Sequence, residues 1–494
     1  MSAVVPDDAS GPSIDVLDAP TAGSKAIRGS AVRGAGYVAG ALLALASAPL
    51  LINHLRVEDF GRYVSVISLI AIVTGITDVG LGTLALREYS VRSGADRDAF
   101  MRSILGARIV VTSAGVLIAT AFAAVAGYGA TLVLGTLLAG IGAVLGAVGA
   151  TLGVPLATQL RLGWLTAIEL GAKAAGVALI IALVFASAGI LPFLAVTVPV
   201  GILAVAATAA LTRGQVPMRP SLALGELRVL LRETLPLAIA LILGTLYARI
   251  VIVLMSVIAA GLPTGYFGTA YRVVEVAVGV PAALVGTTFP IMARAASADR
   301  DRLRYVLQRI LEVALILGVW MSMIIAIAAV PITDLLTRDD EAGPVADVLV
   351  VLALLLAPAF VNMTLQTCLL SLREHRSLIV VNGTALAFVV TLTLALVPPF
   401  GAEGGAWAVI VGECYLVAAA AIVLVRRHPA LRPDLRLMGR LLPATAAASA
   451  AGVLPDLPPL AGAVLASVVF FAALVLLGAI PRELYDALRH RRLV

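Results

Sequence analysis

From about residue 34 to its end the chain alternates long apolar runs with short polar turns. A span needs roughly 20 mostly apolar residues to cross ~30 Å of hydrocarbon. Runs of that kind fall near 34–54, 62–86, 103–127, 129–152, 163–188, 191–212, 235–260, 266–293, 305–330, 346–371, 377–398, 402–425, 440–455 and 460–480. The thirteenth is the weakest, being short and ending in Leu454-Pro455. Lipid leaves no backbone polar group solvated, and segments of this length satisfy theirs as helices rather than as barrel strands. The pattern therefore predicts an all-α polytopic membrane protein of about 14 transmembrane helices. Ahead of the first run, Asp7, Asp8, Asp15 and Asp18 among Pro, Gly and Ser predict a disordered polar tail at 1–30. No signal-peptide pattern precedes that run, which is expected to stay as a helix.

Composition excludes the soluble classes. The chain is 61% hydrophobic and 13% charged, with a mean hydropathy of +1.05, against about 45–50% and 25% for a soluble domain. A net charge of +6 would suggest nucleic acid in a soluble protein. Here twenty-eight of the 35 basic residues fall in alternate loops, and only Arg56, Arg62 and Arg338 fall in the others. Lys and Arg concentrate in cytoplasmic loops, so both termini are expected in the cytoplasm and nucleic acid is not an expected partner. One missed helix would invert the alternation beyond it, so the charge pattern supports the helix count too. Cys368 and Cys414 lie inside apolar runs, with no metal-ligand spacing or disulfide framework. No cofactor or metal is expected.

Two stretches echo each other. Glu58-Asp59-Phe60-Gly61-Arg62-Tyr63 precedes the second run, and Thr264-Gly265-Tyr266-Phe267-Gly268-Thr269-Ala270-Tyr271 precedes the eighth. Both put Phe-Gly and a tyrosine at the predicted outer mouth of an even-numbered helix. Six helices is an even number, so the two units share one orientation, as a parallel repeat about an axis along the membrane normal. The division expected is a cytoplasmic tail at 1–30, an N-terminal lobe at 31–213 (helices 1–6) and a cytoplasmic linker at 214–234. A C-terminal lobe at 235–427 (helices 7–12) follows, and 428–494 holds two further helices and a cytoplasmic end.

The run Val57 to Tyr63, followed by Asp78-Val79-Gly80-Leu81-Gly82 and Arg87-Glu88, resembles the opening of polysaccharide flippases of the Wzx type. Gly265 to Glu275, with Pro281 and Phe289-Pro290 beyond, is similar to the same family. So is Pro398-Pro399-Phe400-Gly401-Ala402-Glu403-Gly404-Gly405-Ala406, with Glu413 after it. These pieces stand in order across positions 57 to 413. The resemblance implies the multidrug/oligosaccharidyl-lipid/polysaccharide exporter superfamily: two six-helix lobes, often two added helices, and alternating access. It implies a bacterial plasma-membrane location and a polyprenyl-pyrophosphate-linked oligosaccharide moved from the cytoplasmic to the outer leaflet. Membrane lipid, polysaccharide polymerases and glycosyltransferases are the partners it suggests. Many relatives carry an acidic residue midway along helix seven, where this chain has Arg249. A carboxylate-based coupling scheme does not transfer to that position.

An ionisable side chain at bilayer depth costs at least ~2.5–3.5 kcal/mol on insertion scales and so faces protein or a wet cavity. Arg249, Arg272, Lys173 and Arg108 are the basic residues inside spans and the candidate substrate-binding set. A guanidinium fork suits phosphate oxygens. Set against this, Glu275 lies three residues after Arg272, where an internal ion pair would merely fix the bundle. Glu169 and Lys173 form an i,i+4 pair, and Arg108 is close enough to the interface to snorkel. Asp78, Glu312 and Glu413 have no obvious local partner; with Glu275 and Glu169 they are the candidate coupling or charge-balancing acids. Asn53, Asn362 and Asn382 are expected to be interhelical hydrogen-bonding groups.

Other functions remain on the same fold. A cation-coupled multidrug antiporter needs carboxylates and aromatics for organic cations, whereas this chain has arginines in its spans and 5% aromatics. A peptidoglycan-precursor (lipid II) flippase differs only in head group. An enzyme is not expected: the longest predicted outer loop, 331–345, has acids but no histidine, and no Walker loop or GxSxG elbow occurs.

Overall fold

A computed structural model describes residues 22–479 apart from 79, 218, 222, 223 and 435. The first half comprises α1 (Ala22–Asp78), α2 (Leu81–Val91), α3 (Gly94–Val125), α4 (Ala130–Leu152), α5 (Val154–Thr158), α6 (Leu162–Phe185), α7 (Ile190–Ala195) and α8 (Thr197–Leu211). The second comprises α9 (Leu224–Ile258), α10 (Leu262–Ala298), α11 (Arg300–Ile327), α12 (Ala329–Leu336), α13 (Asp339–Ala353), α14 (Leu356–Ser371) and α15 (His375–Arg427). α16 (Arg436–Gly452) and α17 (Pro459–Leu476) pack on each other and on α11. No strand occurs among the described residues.

The protein is an all-α, multi-pass membrane protein. Each apolar run of the sequence lies on helix. Nine helices among the described residues are individually long and apolar enough to span, and the bent pair Asp340–Ala353 with Leu356–Ser371 makes a tenth. Two of the nine carry two runs each. α1 breaks at Arg56 (φ 63°, ψ 163°) and α15 at Gly401 (φ 54°, ψ −124°), immediately after Pro398-Pro399-Phe400. α10 and the 17-residue α16 complete the bundle.

Two boundaries differ from the sequence reading. Residues 1–21 of the predicted tail lie outside the described residues, but 22–30 belong to α1. α9 begins at Leu224, well inside the predicted linker at 214–234. The reason is visible in Leu224, Leu227, Leu230 and Leu231, which recur at helical spacing and carry an amphipathic helix beyond the hydrocarbon.

The halves meet most closely at the arginine-poor end, where the second arm of α1 crosses α10. Backbones touch there. A Cβ built on Gly61 would lie 2.6 Å from the Gly265 nitrogen, and one on Gly265 would lie 2.2 Å from the Val57 carbonyl oxygen. Phe60 and Phe267, the two Phe-Gly aromatics, are both buried in one core cluster with Leu51, Ile52, Met255 and Ala270. Phe60 stacks on Tyr63 and Phe267 on Tyr271. A polar tie flanks the crossing. Arg56 donates from Nη2 to Asp340 (2.7 Å) and from Nε to Glu341 (3.1 Å), and the Val57 N–H donates to the second Glu341 oxygen (3.3 Å).

Gly265 and Gly268 separate two effects that the motif alone cannot. A methyl at Gly268 would meet Val64 at 3.5 Å, an ordinary contact, whereas at Gly265 it meets backbone. Gly265→Ala is expected to destabilise by about 1–3 kcal/mol, the usual cost of overpacking. Gly268→Ala should be neutral or slightly stabilising. Thermal unfolding of the two variants in detergent checks this, and equal effects would count against the crossing.

Candidate functional site

On α9, Thr245 faces the first half: a Cβ on Gly75 of α1 would sit 2.2 Å from its Cγ2. Eight residues on, Val253 is buried in a cluster with Val66, Leu69, Ile70 and Val73 of α1. Ser256 continues toward the same side, its hydroxyl 2.5 Å from the Tyr128 hydroxyl. Helical residues four apart share a face. Arg249 lies four residues from both Thr245 and Val253, so it stands on the face of α9 that looks across the junction.

α10 repeats the arrangement. Gly265 packs on Val57 and Gly268 on Val64; Arg272, four residues further, extends that stripe, and Glu275 follows one turn on. The tyrosine of the first motif, Tyr63, lies within electrostatic reach of Arg272. Glu275 then takes both arginines. Its Oε1 accepts from Arg249 Nη2 at 2.5 Å and its Oε2 from Arg272 Nη1 at 2.8 Å. The Tyr271 hydroxyl donates to the Ala248 carbonyl at 3.4 Å, a second link between α10 and α9. The three charged side chains stay 28–36% exposed. Two guanidiniums share one carboxylate, which leaves a net positive charge and several N–H donors for an anion.

The other candidate residues have partners elsewhere. Arg108 is buried in the first half, where it donates to Asp78, to Thr151 Oγ1 (3.3 Å) and to the Ala147 carbonyl (3.4 Å). Glu169 meets Arg33 of α1 at 3.4 Å. Lys173, one turn on, lies against Gly40, where a Cβ would come within 2.6 Å of its Nζ. Glu312 accepts from Arg309 (2.9 Å) and Gln308 (3.0 Å) in the first turns of α11. Glu413 is held by an amide chain inside the second half: Asn362 Nδ2 donates to it at 2.9 Å, and Gln366 Nε2 donates to Asn362 Oδ1 at 3.1 Å. The buried Tyr247 hydroxyl lies beside this carboxylate. Asn382 joins α15 to α9 through the Ala240 carbonyl (3.1 Å).

Sequence reasoning missed the tie between Arg56, Asp340 and Glu341. A signal was present: three consecutive acids, Asp339 to Glu341, on a side with only three predicted outer arginines. Near that tie a cavity of about 820 Å³ opens between the halves, with Glu58, Asp59, Arg62, Tyr128, Ser256 and Thr264 in its wall. Arg62 is paired there with Glu58 (2.7 Å) and Asp59 (2.6 Å). Two further, mainly apolar grooves of about 400 and 530 Å³ run between α11, α14 and α16.

The family model described as "Polysaccharide biosynthesis protein" matches residues 51–337, which include the crossing and all three residues of the triad. Among solved structures, the chain is similar to the lipid II flippase MurJ in an inward closed conformation, with a TM-score of 0.76 at 13% identity, covering 93% of this chain and 100% of that one. It is also similar to a MOP-superfamily transporter from Pyrococcus furiosus (TM-score 0.58, 13% identity, 83% and 96% covered). An inward-facing multidrug-resistance MATE transporter matches with a TM-score of 0.56 at 13% identity, covering 81% and 98%. No curated protein matches. At these identities the structural likenesses establish the fold.

Arg108 donates through both terminal nitrogens to groups of the first half, while its buried Nε has no hydrogen-bond partner among the described residues. Arg108→Gln is expected to lower thermal stability while changing affinity for a pyrophosphate lipid by less than about twofold, within the scatter of a distant, independent site. Titration with farnesyl pyrophosphate checks this; a tenfold loss would bring Arg108 into the site.

Proposed function

The chain belongs to the polysaccharide biosynthesis protein family, and from that membership we propose that it moves a polyprenyl-pyrophosphate-linked oligosaccharide from the cytoplasmic to the outer leaflet by alternating access. The observation that carries this reading is the meeting of Arg249 and Arg272 on the facing sides of α9 and α10. The polar head is what cannot cross hydrocarbon. Guanidinium groups held in open space between two halves replace the water that a diphosphate gives up, with directed, charge-assisted hydrogen bonds. The prenyl tail stays in lipid, and the apolar grooves beside α11 and α16 can hold hydrocarbon without exposing polar groups.

The closed crossing at Gly61 and Gly265 bars the arginine-poor end, which the charge pattern assigns to the outside. The cavity beside it would become the exit for the sugars once the halves rock apart. Both termini are then cytoplasmic, in a bacterial plasma membrane, with polymerases and glycosyltransferases as neighbours in the pathway. Direction can come from the membrane potential, about 2.3 kcal/mol per charge per 100 mV for an anion leaving a negative interior. Glu413, with its amide chain, is the acid best isolated from any arginine and the remaining candidate for coupling. Asp78, Glu169 and Glu312 act as counter-ions to the arginines they touch, and Lys173 supports the packing of α6 on α1. The chain acts as a transporter without bond chemistry.

A cation-coupled multidrug antiporter fits less well, because the net positive triad repels organic cations. A lipid II flippase has the same chemistry at the phosphates, and only the sugar distinguishes it. The test is translocation in proteoliposomes of a fluorescent polyprenyl-pyrophosphate sugar, read by quenching from one side. Arg249→Gln and Arg272→Gln are each expected to slow transfer at least about tenfold, the equivalent of one lost charged hydrogen bond, with the protein still monodisperse. Undiminished transfer in both variants overturns the assignment.

A further inference from the structure

We propose that Glu275 is a built-in stand-in for the substrate's phosphates, and that the diphosphate displaces it from Arg249 and Arg272, so that occupancy unties α9 from α10. The inference rests on the function proposed above. It begins with geometry. Each Glu275 oxygen accepts from a different guanidinium, and those guanidiniums come from different helices. A phosphate group would engage the same pair of forks with two of its own oxygens.

Charge explains why such a residue is there. Two arginines at bilayer depth without an acid would make the unloaded site expensive, so an internal carboxylate stabilises it between cycles. The same carboxylate opposes a dianion. With Glu275 in place the triad is only singly positive, and a diphosphate arriving there meets a negative charge on the donors it needs. The carboxylate is 28% exposed, so its side chain can swing into open space instead of being buried elsewhere.

The two pairs it makes differ in consequence. Arg272 is on Glu275's own helix, at i,i+3, so losing that pair changes nothing between helices. Arg249 is on α9, and its pair with Glu275 is an interhelical tie that the Tyr271 hydroxyl seconds nearby. Substrate therefore exchanges a link between α9 and α10 for links to itself. A monophosphate, with less charge to repay the displacement, does this less well. Glu275 thus acts as a specificity-determining residue at the arginine pair.

The test uses the full chain in nanodiscs with farnesyl pyrophosphate and farnesyl monophosphate as probes. Glu275→Gln is expected to tighten diphosphate binding about 5- to 50-fold, the range of an ordinary coupling between two occupants, and to narrow the preference over monophosphate. Arg249→Gln should weaken binding of both probes. In unmodified protein, labelling of Glu275 by a water-soluble carbodiimide and glycine ethyl ester, read by peptide mass spectrometry, should rise when farnesyl pyrophosphate is added. Weaker diphosphate binding in Glu275→Gln, together with labelling that falls or stays level, overturns the inference: Glu275 would then merely position the arginines, and the proposed function would stand. If neither the arginine variants nor Glu275→Gln alters binding, the proposed function falls as well.

Discussion

The distance between the two halves is set where backbone meets backbone, at Gly61 and Gly265. Close approach of two helices depends on residues without side chains, because within lipid the hydrophobic effect does not drive them together and packing must. Everything else at the junction follows from that contact. Phe60 and Phe267 are driven into the core on either side of it, and Tyr63 and Tyr271 stack behind them. The stripe of α10 that begins at Gly265 and Gly268 then carries Arg272 and Glu275 into the seam. A bulkier crossing would loosen that end of the junction.

Charge inside the bundle is distributed by cost. Three arginines within the spans have a carboxylate within reach: Arg108 has Asp78, and Arg249 and Arg272 share Glu275. The difference lies in what surrounds them. Arg108 is nearly enclosed and donates to hydroxyl and carbonyl acceptors of its own half. Arginines of one sequence class therefore differ in surroundings: one is enclosed in the first half, and two are partly exposed and share an acid in the second.

Helix number and type were legible in the sequence, because hydrocarbon thickness and the alternation of arginines constrain them independently. The triad was half legible. The i,i+3 spacing of Arg272 and Glu275 is local, whereas Arg249 joining them depends on how α9 turns against α10, which no local pattern specifies. The same limit explains Arg33, which reaches Glu169 from α1 and which no local spacing pointed to. It also explains Glu413, whose partner Asn362, itself bonded by Gln366, comes from another helix. The start of α9 was misplaced for a different reason. Arginines in 213–232 were read as loop, although Leu224 to Leu231 already carried the helical period.

Arg56 shows how the closed end is held without being locked. Its backbone lies in a region that only glycine occupies without strain, at φ 63° and ψ 163°, a conformation that costs on the order of 1–3 kcal/mol. Asp340 and Glu341 offset that cost from the other half by accepting its guanidinium, and Glu341 also takes the Val57 N–H. The contacts exist only while the halves are together. On the function proposed above, separation would lose the ion pairs and release the strain at Arg56, two changes of opposite sign. At the other end of the seam, the Glu275 tie is likewise strong enough to order the empty site and, on the reading proposed here, weak enough for a diphosphate to exchange.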